Sequence, residues 1–343
     1  MKFSPLRSSL IALVTASTIA VGLTACSSGP AAESDGKVVV YAGRDEALIA
    51  PLIEQFTDET GIEVDVRFGS TPELSALLLE EGEQTPANVF LSQDAGALGA
   101  LSNAGLLATL LADITAAVPG EFTSTDDTWV GVTGRARVIA YDSEKYSEAD
   151  IPDSVLELSS PKWSGLVGFP PGNASFQSFV TALRVLEGEE VAEQWVADIA
   201  QNSPVLTEKN GATLDLVNSG QLDLALINHY YWYERAAELG EENMRAQLKF
   251  LPGDAGGIVN VTGAGILKNS GKDADALAFV KFLLSESAQE YFATATFEYP
   301  LVEGVASPKG LPALSELANT QLDLADLASL AETQALLAKY GLL

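Results

Sequence analysis

The sequence predicts an α/β protein of two lobes joined by two crossing strands, with a ligand cleft between the lobes. Three observations carry this. Short β-branched runs alternate with amphipathic helical patterns, the grammar of parallel sheets covered by helices. Two extended runs, residues 129–142 and 248–267, are longer than a typical single strand and suit a passage from one lobe to the other. Beyond an apolar leader, about 310 residues remain, more than one small core accommodates.

The elements follow in order. Val38 to Tyr41 reads as a buried strand, and the loop AGRD leads to a helix with Leu48, Ile49, Leu52, Ile53 and Phe56 on one stripe. Gly61 stops that helix, and residues 62–68 alternate as a second strand. Residues 72–81 form a helix with Leu74, Leu77 and Leu78 inward, residues 87–91 a strand, and residues 95–105 a helix. After the first long run the pattern repeats. Strands are expected at residues 166–169, 204–207 and 224–228, and helices at 175–186, 189–200 and 213–219. Helices at 273–285 and 288–294 follow the second long run, and the Leu/Ala-rich tail from Leu311 is expected to be helical and to wrap back on the surface. Ligands of open α/β sheets sit at the carboxyl ends of strands. Four polar loops occupy such ends: residues 43–45, 92–94, 170–175 and 228–231.

The amino terminus reads as an export leader: Lys2 and Arg7, then an apolar stretch too short to span a bilayer. It closes on LTAC, which resembles the lipobox of bacterial lipoproteins. That resemblance implies cleavage before Cys26 and lipid, palmitate included, on that residue. Cys26 is the only cysteine, so an internal disulfide or thiolate metal cluster is excluded. SSGPAAESDG reads as a flexible tether. The formal net charge of −28 repels nucleic acid and anionic lipid. The expected product is a monomeric body tied to the extracytoplasmic face of a cell membrane.

The stretch INHYYWYE places two phenols side by side, Tyr230 and Tyr231. Neighbours in a strand face opposite ways. Both converge only where the strand end turns into a helix, and Asn228 followed by a helical pattern offers that turn. Packing explains such a pair; so does a hard, highly charged cation able to displace the phenolic protons, for which ferric ion is the natural candidate.

The chain resembles the ferric-ion-binding proteins that serve bacterial ABC importers, members of the two-lobed periplasmic-binding-protein fold with Rossmann-like lobes. The resemblance lies in VVVYAGRDEA, FTDETGIEV, GRARVIAYD, SPKWSGLVGF, ALINHYYWYERA, GDAGGIVNVTGAGILK and EYPLV, and covers nearly the whole mature chain. It implies that Tyr230 and Tyr231 both coordinate iron. Asp45 stands where many members carry histidine and is the expected third ligand; capping the helix that starts at Glu46 is its other reading. Gln93 stands where the family has a ligating glutamate, an amide in place of a carboxylate, and Asp94 next door either substitutes or caps the following helix. A synergistic anion (carbonate, phosphate or citrate) is implied at Asn173, Ala174 and Ser175, where a helix start favours negative charge. Asn210 and Asn228 match further anion contacts, and Arg44 and Arg135 are basic residues in matching segments. His229, the only histidine, reads as a hydrogen-bonded structural residue. The expected division is 1–25 leader, 26–36 lipidated cysteine and tether, 37–136 with 262–311 the N-terminal lobe, and 137–261 with 312–343 the C-terminal lobe. The expected partners are a membrane permease and its ATPase. The sequence also suits a binding protein for another small solute (an organic anion, phosphonate or polyamine). A hydrolytic enzyme is the weaker alternative, because no GxSxG elbow, P-loop or GxGxxG is present.

Overall fold

The computed structural model describes residues 36–271, 273–317 and 321–343, so the leader and Cys26 lie outside the described residues. No described helix is long and apolar enough to cross a membrane.

The first lobe starts with β1 (Lys37–Ala42), α1 (Glu46–Thr60), β2 (Glu63–Phe68), α2 (Thr71–Glu81), β3 (Val89–Ser92) and α3 (Ala95–Asn103), followed by the single turn α4 (Ala112–Thr115). Local chemistry sets these boundaries. Gly61 closes α1 in the left-handed conformation, at φ 73°. Ser70 and Glu73 form a capping box at the start of α2. β1 pairs in parallel with both β2 and β3.

Then comes the long strand β4 (Val130–Asp142), buried along its whole length. Through Ala136 it pairs antiparallel with β9 (Val259–Ile266), which in turn pairs with β3. From Arg137 onward its partner on one side is β7 (Leu224–Asn228) and on the other β8 (Ala246–Phe250). One strand therefore belongs to two sheets and changes between them at Ala136 and Arg137. The second sheet continues from β7 to β5 (Val167–Phe169) and β6 (Val205–Leu206), both parallel. Its helices are α5 (Ala174–Glu187), α6 (Glu189–Gln201), α7 (Asn210–Asn218) and α8 (Tyr230–Leu239). The fold is two-lobed and α/β, as predicted.

The second long run is not one strand. Residues 248–267 divide into the end of β8, a turn, and β9. The turn is built by Asp254, whose Oδ1 accepts from Gly256 N at 2.7 Å and from Val155 N at 3.1 Å. A side chain at Gly257 would meet the Leu251 carbonyl oxygen at 2.0 Å, so the backbone doubles back too tightly for a strand. PGDAGG carries that turn chemistry in the sequence.

α9 (Ala274–Leu283) and α10 (Glu286–Ala295) return to the first lobe, and β10 (Tyr299–Pro300) pairs with β4 at Gly134 and Thr133. The tail has α11 (Leu314–Leu317), a 3-10 turn (Leu324–Ala328) and α12 (Leu330–Lys339). It does wrap back, touching both lobes. Ala328 packs over Gly99 of α3, where an added Cβ would come within 2.9 Å. Thr333 of α12 exchanges hydrogen bonds with Thr181 and Arg184 of α5.

A separate apolar cluster fixes α8 on the second sheet: Trp232 and Ala236 pack against Val138, Leu214, Val217 and Ile227. Trp232 also donates its indole N–H to the Ala246 carbonyl. Burying that ring stabilises the lobe by roughly 2–3 kcal/mol and orients the first turn of the helix.

Candidate functional site

β7 ends at Asn228, and His229 already has helical backbone angles (φ −57°, ψ −42°). The abrupt passage from strand to helix brings two adjacent side chains to one side. The rings of Tyr230 and Tyr231 stack with centroids 4.2 Å apart and planes at 29°. Tyr230 is fully buried and Tyr231 partly exposed. Both line a cavity of about 400 Å³ together with Arg44, Asp45, Thr71, Gln93, Asn173, Ala174 and Lys209. The cavity walls come from both lobes. Burial raises both phenol pKa values. Arg44 and Arg135 oppose the rise at Tyr230, while the neighbouring phenol adds to it at Tyr231.

Behind the phenols stands a buried cationic wall. Arg44 Nη2 donates to Glu298 Oε2 at 2.8 Å, and its Cζ lies 5.7 Å from the centre of the Tyr230 ring. Burial alone would lower the Arg44 pKa, but Glu298 and the two phenols outweigh it and raise it. Arg135 donates to the Val261 carbonyl at 3.0 Å and has its Nε 3.9 Å from Glu298, leaving Nε and Nη1 without hydrogen bonds. Arg137 donates to Ser175 Oγ at 3.1 Å, and its Nη2 has no partner. Burial and the charge of Arg135 push the Arg137 guanidinium down to about 9. Glu298, fully buried, also accepts from the hydroxyls of Thr133, Thr262 and Thr296.

The polar loop of the second lobe is preorganised. Asn173 caps α5: its Oδ1 accepts from Ser175 N at 3.0 Å, Ser175 Oγ at 2.7 Å and Asn210 Nδ2 at 3.1 Å. α7 begins at Asn210, earlier than its apolar periodicity suggests, which puts that amide beside the loop. Asn210 Oδ1 and Asn228 Nδ2 are buried without partners. Among the residues expected from the sequence, Tyr230, Tyr231, Arg44, Asp45, Gln93, Asn173 and Ala174 line the cavity. Ser175, Asn210, Asn228 and Arg135 are buried and are not among the residues lining it.

Asp45 occupies the N-cap position of α1 but makes no capping hydrogen bond; its Oδ1 instead meets Lys209 Nζ at 2.8 Å. Asp94 does cap, accepting from Ala97 N at 3.1 Å. Among the described residues, no three or more His, Cys, Asp or Glu side chains are grouped so as to hold a metal. The phenol pair brings two hard oxygen donors together on the cavity wall, with the carboxylates of Asp45, Glu46 and Glu208 elsewhere on its lining.

His229 faces away from this chemistry. Its Nε2 donates to the Phe297 carbonyl at 2.9 Å, and its Nδ1 accepts from Ala136 N at 3.2 Å, so both ring nitrogens are engaged. It pins the tyrosine segment to the point where β4 changes sheets. Burial pushes this imidazole from 6.5 down to about 4. Below pH 6.5 the unfolded chain takes up a proton that the folded chain refuses. Stability is therefore full above pH 6.5 and is lost as the pH falls through 4, by about 3 kcal/mol. Urea unfolding of wild type and His229→Gln at pH 7.5 and 4.5 measures it. The expected result is a shallower loss in the variant; equal losses would refute it.

Sequence reasoning missed four residues here. Arg137 has the parity of Arg135 on β4, a signal that was available. Glu298 lies in the EYP stretch, and Glu234 follows Tyr230 by one helical turn; burial raises its carboxyl to about 8. Lys209 carries no local signal.

Residues 84–322 match the model of a family described as bacterial extracellular solute-binding protein. The Fe(3+)-binding periplasmic protein of Serratia marcescens is 34% identical over 301 residues, which cover 87% of this chain and 89% of that protein. The major ferric iron-binding protein of Neisseria meningitidis serogroup B is 33% identical over 308 residues, covering 89% and 93%. The crystal structure of iron-bound HitA from Pseudomonas aeruginosa superposes with a TM-score of 0.84 at 35% identity, covering 89% of this chain and 99% of that one.

Proposed function

Since the chain belongs to the bacterial extracellular solute-binding protein family, we propose that it captures ferric iron between its lobes and delivers it to a membrane importer. The observation that carries this is the stacked phenol pair at the start of α8, lining a cavity walled by both lobes. The iron-binding names of the relatives and neighbours support it.

The residues account for the chemistry as follows. Tyr230 and Tyr231 coordinate the ion as phenolates, so each iron taken up displaces about two phenolic protons. Affinity therefore falls as the solution is acidified. Gln93 lines the same cavity from the first lobe and hydrogen-bonds the bound complex. A multiply charged anion such as carbonate, phosphate or citrate completes the site, favoured by the buried cationic wall of Arg44, Arg135 and Arg137 and held by Asn173, Ala174, Ser175, Asn210, Asn228 and the arginines at the positive end of α5. The lobes close about β4 and the turn before β9. The loaded form docks on an ABC permease whose ATPase drives uptake, and Cys26 lipid holds the monomeric protein to the outer face of the membrane. It is a carrier and catalyses no reaction.

Residues 27–343, freed of metal and mixed with ferric ion and citrate or carbonate, are expected to develop a visible phenolate-to-iron charge-transfer band. A silent spectrum with an unchanged melting temperature would overturn the reading. It would favour an organic anion as cargo, for which the unpaired nitrogens of Arg135 and Arg137 are suited.

A further inference from the structure

We propose that Asp45 and Lys209 form a latch across the mouth of the cavity, and that Asp45 acts on cargo through this latch rather than as a ligand of the ion. The inference deepens the iron-capture reading in its effect on release; its effect on the empty protein is independent of that reading.

Asp45 lies between β1 and α1 of the first lobe, and Lys209 lies between β6 and α7 of the second. Their charged atoms meet at 2.8 Å, and both residues line the cavity. Among the described ion pairs, this is the one that joins the lobes through the cavity mouth. Asp45 forgoes a stabilising contact to make it. An aspartate in the N-cap position ordinarily accepts from the backbone of the first turn. Here the backbone is extended as in a cap (φ −61°, ψ 131°), yet the carboxylate points across the cleft. A carboxylate with a lysine already on it is a poor ligand for a trication, because each would have to displace the other. Lys209 also directly precedes Asn210, whose amide holds Asn173 at the start of α5. The latch therefore grips the same loop that preorganises the second lobe.

The pair is about half exposed, so its contribution is modest and screened by salt. Breaking it is expected to accelerate transfer of iron to a competing chelator by about 1.5- to 5-fold at low ionic strength. The experiment compares wild type, Lys209→Met, Asp45→Asn, the double variant, and the exchange Asp45→Lys with Lys209→Asp. Spin labels, one on each lobe, report the separation of the lobes in the metal-free protein.

Either single variant is expected to widen the mean separation and speed release. The double variant should do no more than a single one, and the exchange should restore most of the wild-type behaviour. In 1 M salt, wild type should approach the variants. A shifted visible band or a release at least about 100-fold faster in Asp45→Asn, with Lys209→Met unaffected, would make Asp45 a ligand and overturn the latch. Equal separations in all variants would also overturn it. If wild type develops no iron band while the metal-free separations change as expected, the cargo assignment fails and the latch stands.

Discussion

Tyr230→Phe combined with Tyr231→Phe is expected to abolish the proposed charge-transfer band and to lower ferric affinity by at least about 100-fold. Loss of a group that merely orients a metal ligand costs about 10- to 100-fold, and on the proposed reading two ligands are lost together. Neither neighbouring polar group replaces them: His229 spends both nitrogens on backbone partners, and Glu298 is committed to Arg44 and three threonine hydroxyls. The change leaves the rings in place, so the stacking and the packing of α8 survive. Removing two buried hydroxyls alters the stability of the metal-free protein by about 1 kcal/mol or less each. Isothermal titration with ferric citrate, alongside thermal unfolding, separates the two effects. Retention of wild-type affinity by a folded double variant would end the phenolate assignment.

Glu298→Ala destabilises the metal-free protein by about 3–5 kcal/mol. The carboxylate is fully buried between two arginines that are themselves 4% and 1% exposed. A buried pair need not exceed an apolar replacement in stability, but removing one partner leaves an uncompensated charge in a low-dielectric interior. Here Arg44 and Arg135 would face one another as well as the loss, and three threonine hydroxyls would lose their acceptor. Glu298→Gln retains an acceptor but not the charge and falls between wild type and Ala. The midpoint of urea unfolding gives the ranking. A loss under about 1 kcal/mol in Glu298→Ala would mean that the arginines are not held by this carboxylate.

The local level of this protein is legible in its residues. The short apolar run before Asn228 coincides with β7, Gly61 ends α1, and the stripe of Leu48, Leu52 and Phe56 faces the core of the first lobe. The 13-residue strand β4 follows from an extended pattern that runs on through Gly131 and Gly134, with a register shift against β9 between Gly131 and Thr133. The same reasoning overran at residues 248–267, where periodicity outweighed the turn chemistry of PGDAGG and joined two strands into one. The tyrosine pair is readable for a local reason too: adjacent side chains share a side when strand passes at once into helix, and both halves of that junction are visible in sequence.

Other features arise only when distant segments meet. Glu298 reaches Arg44 from 254 positions away, and Lys209 reaches Asp45 from 164. Neither partner has a period, a cap or a motif that names the other. Asp45 in particular has an N-cap sequence context, and only the tertiary placement of Lys209 gives its carboxylate a different partner. The sequence by itself determined the alternation of strands and helices, the crossing strand β4 and the junction that pairs two phenols. Tertiary structure alone decided which charges stand behind and in front of those phenols. Helix and strand patterns arise from neighbouring residues along the chain, whereas the electrostatics of a cleft depend on through-space distances that local patterning does not encode.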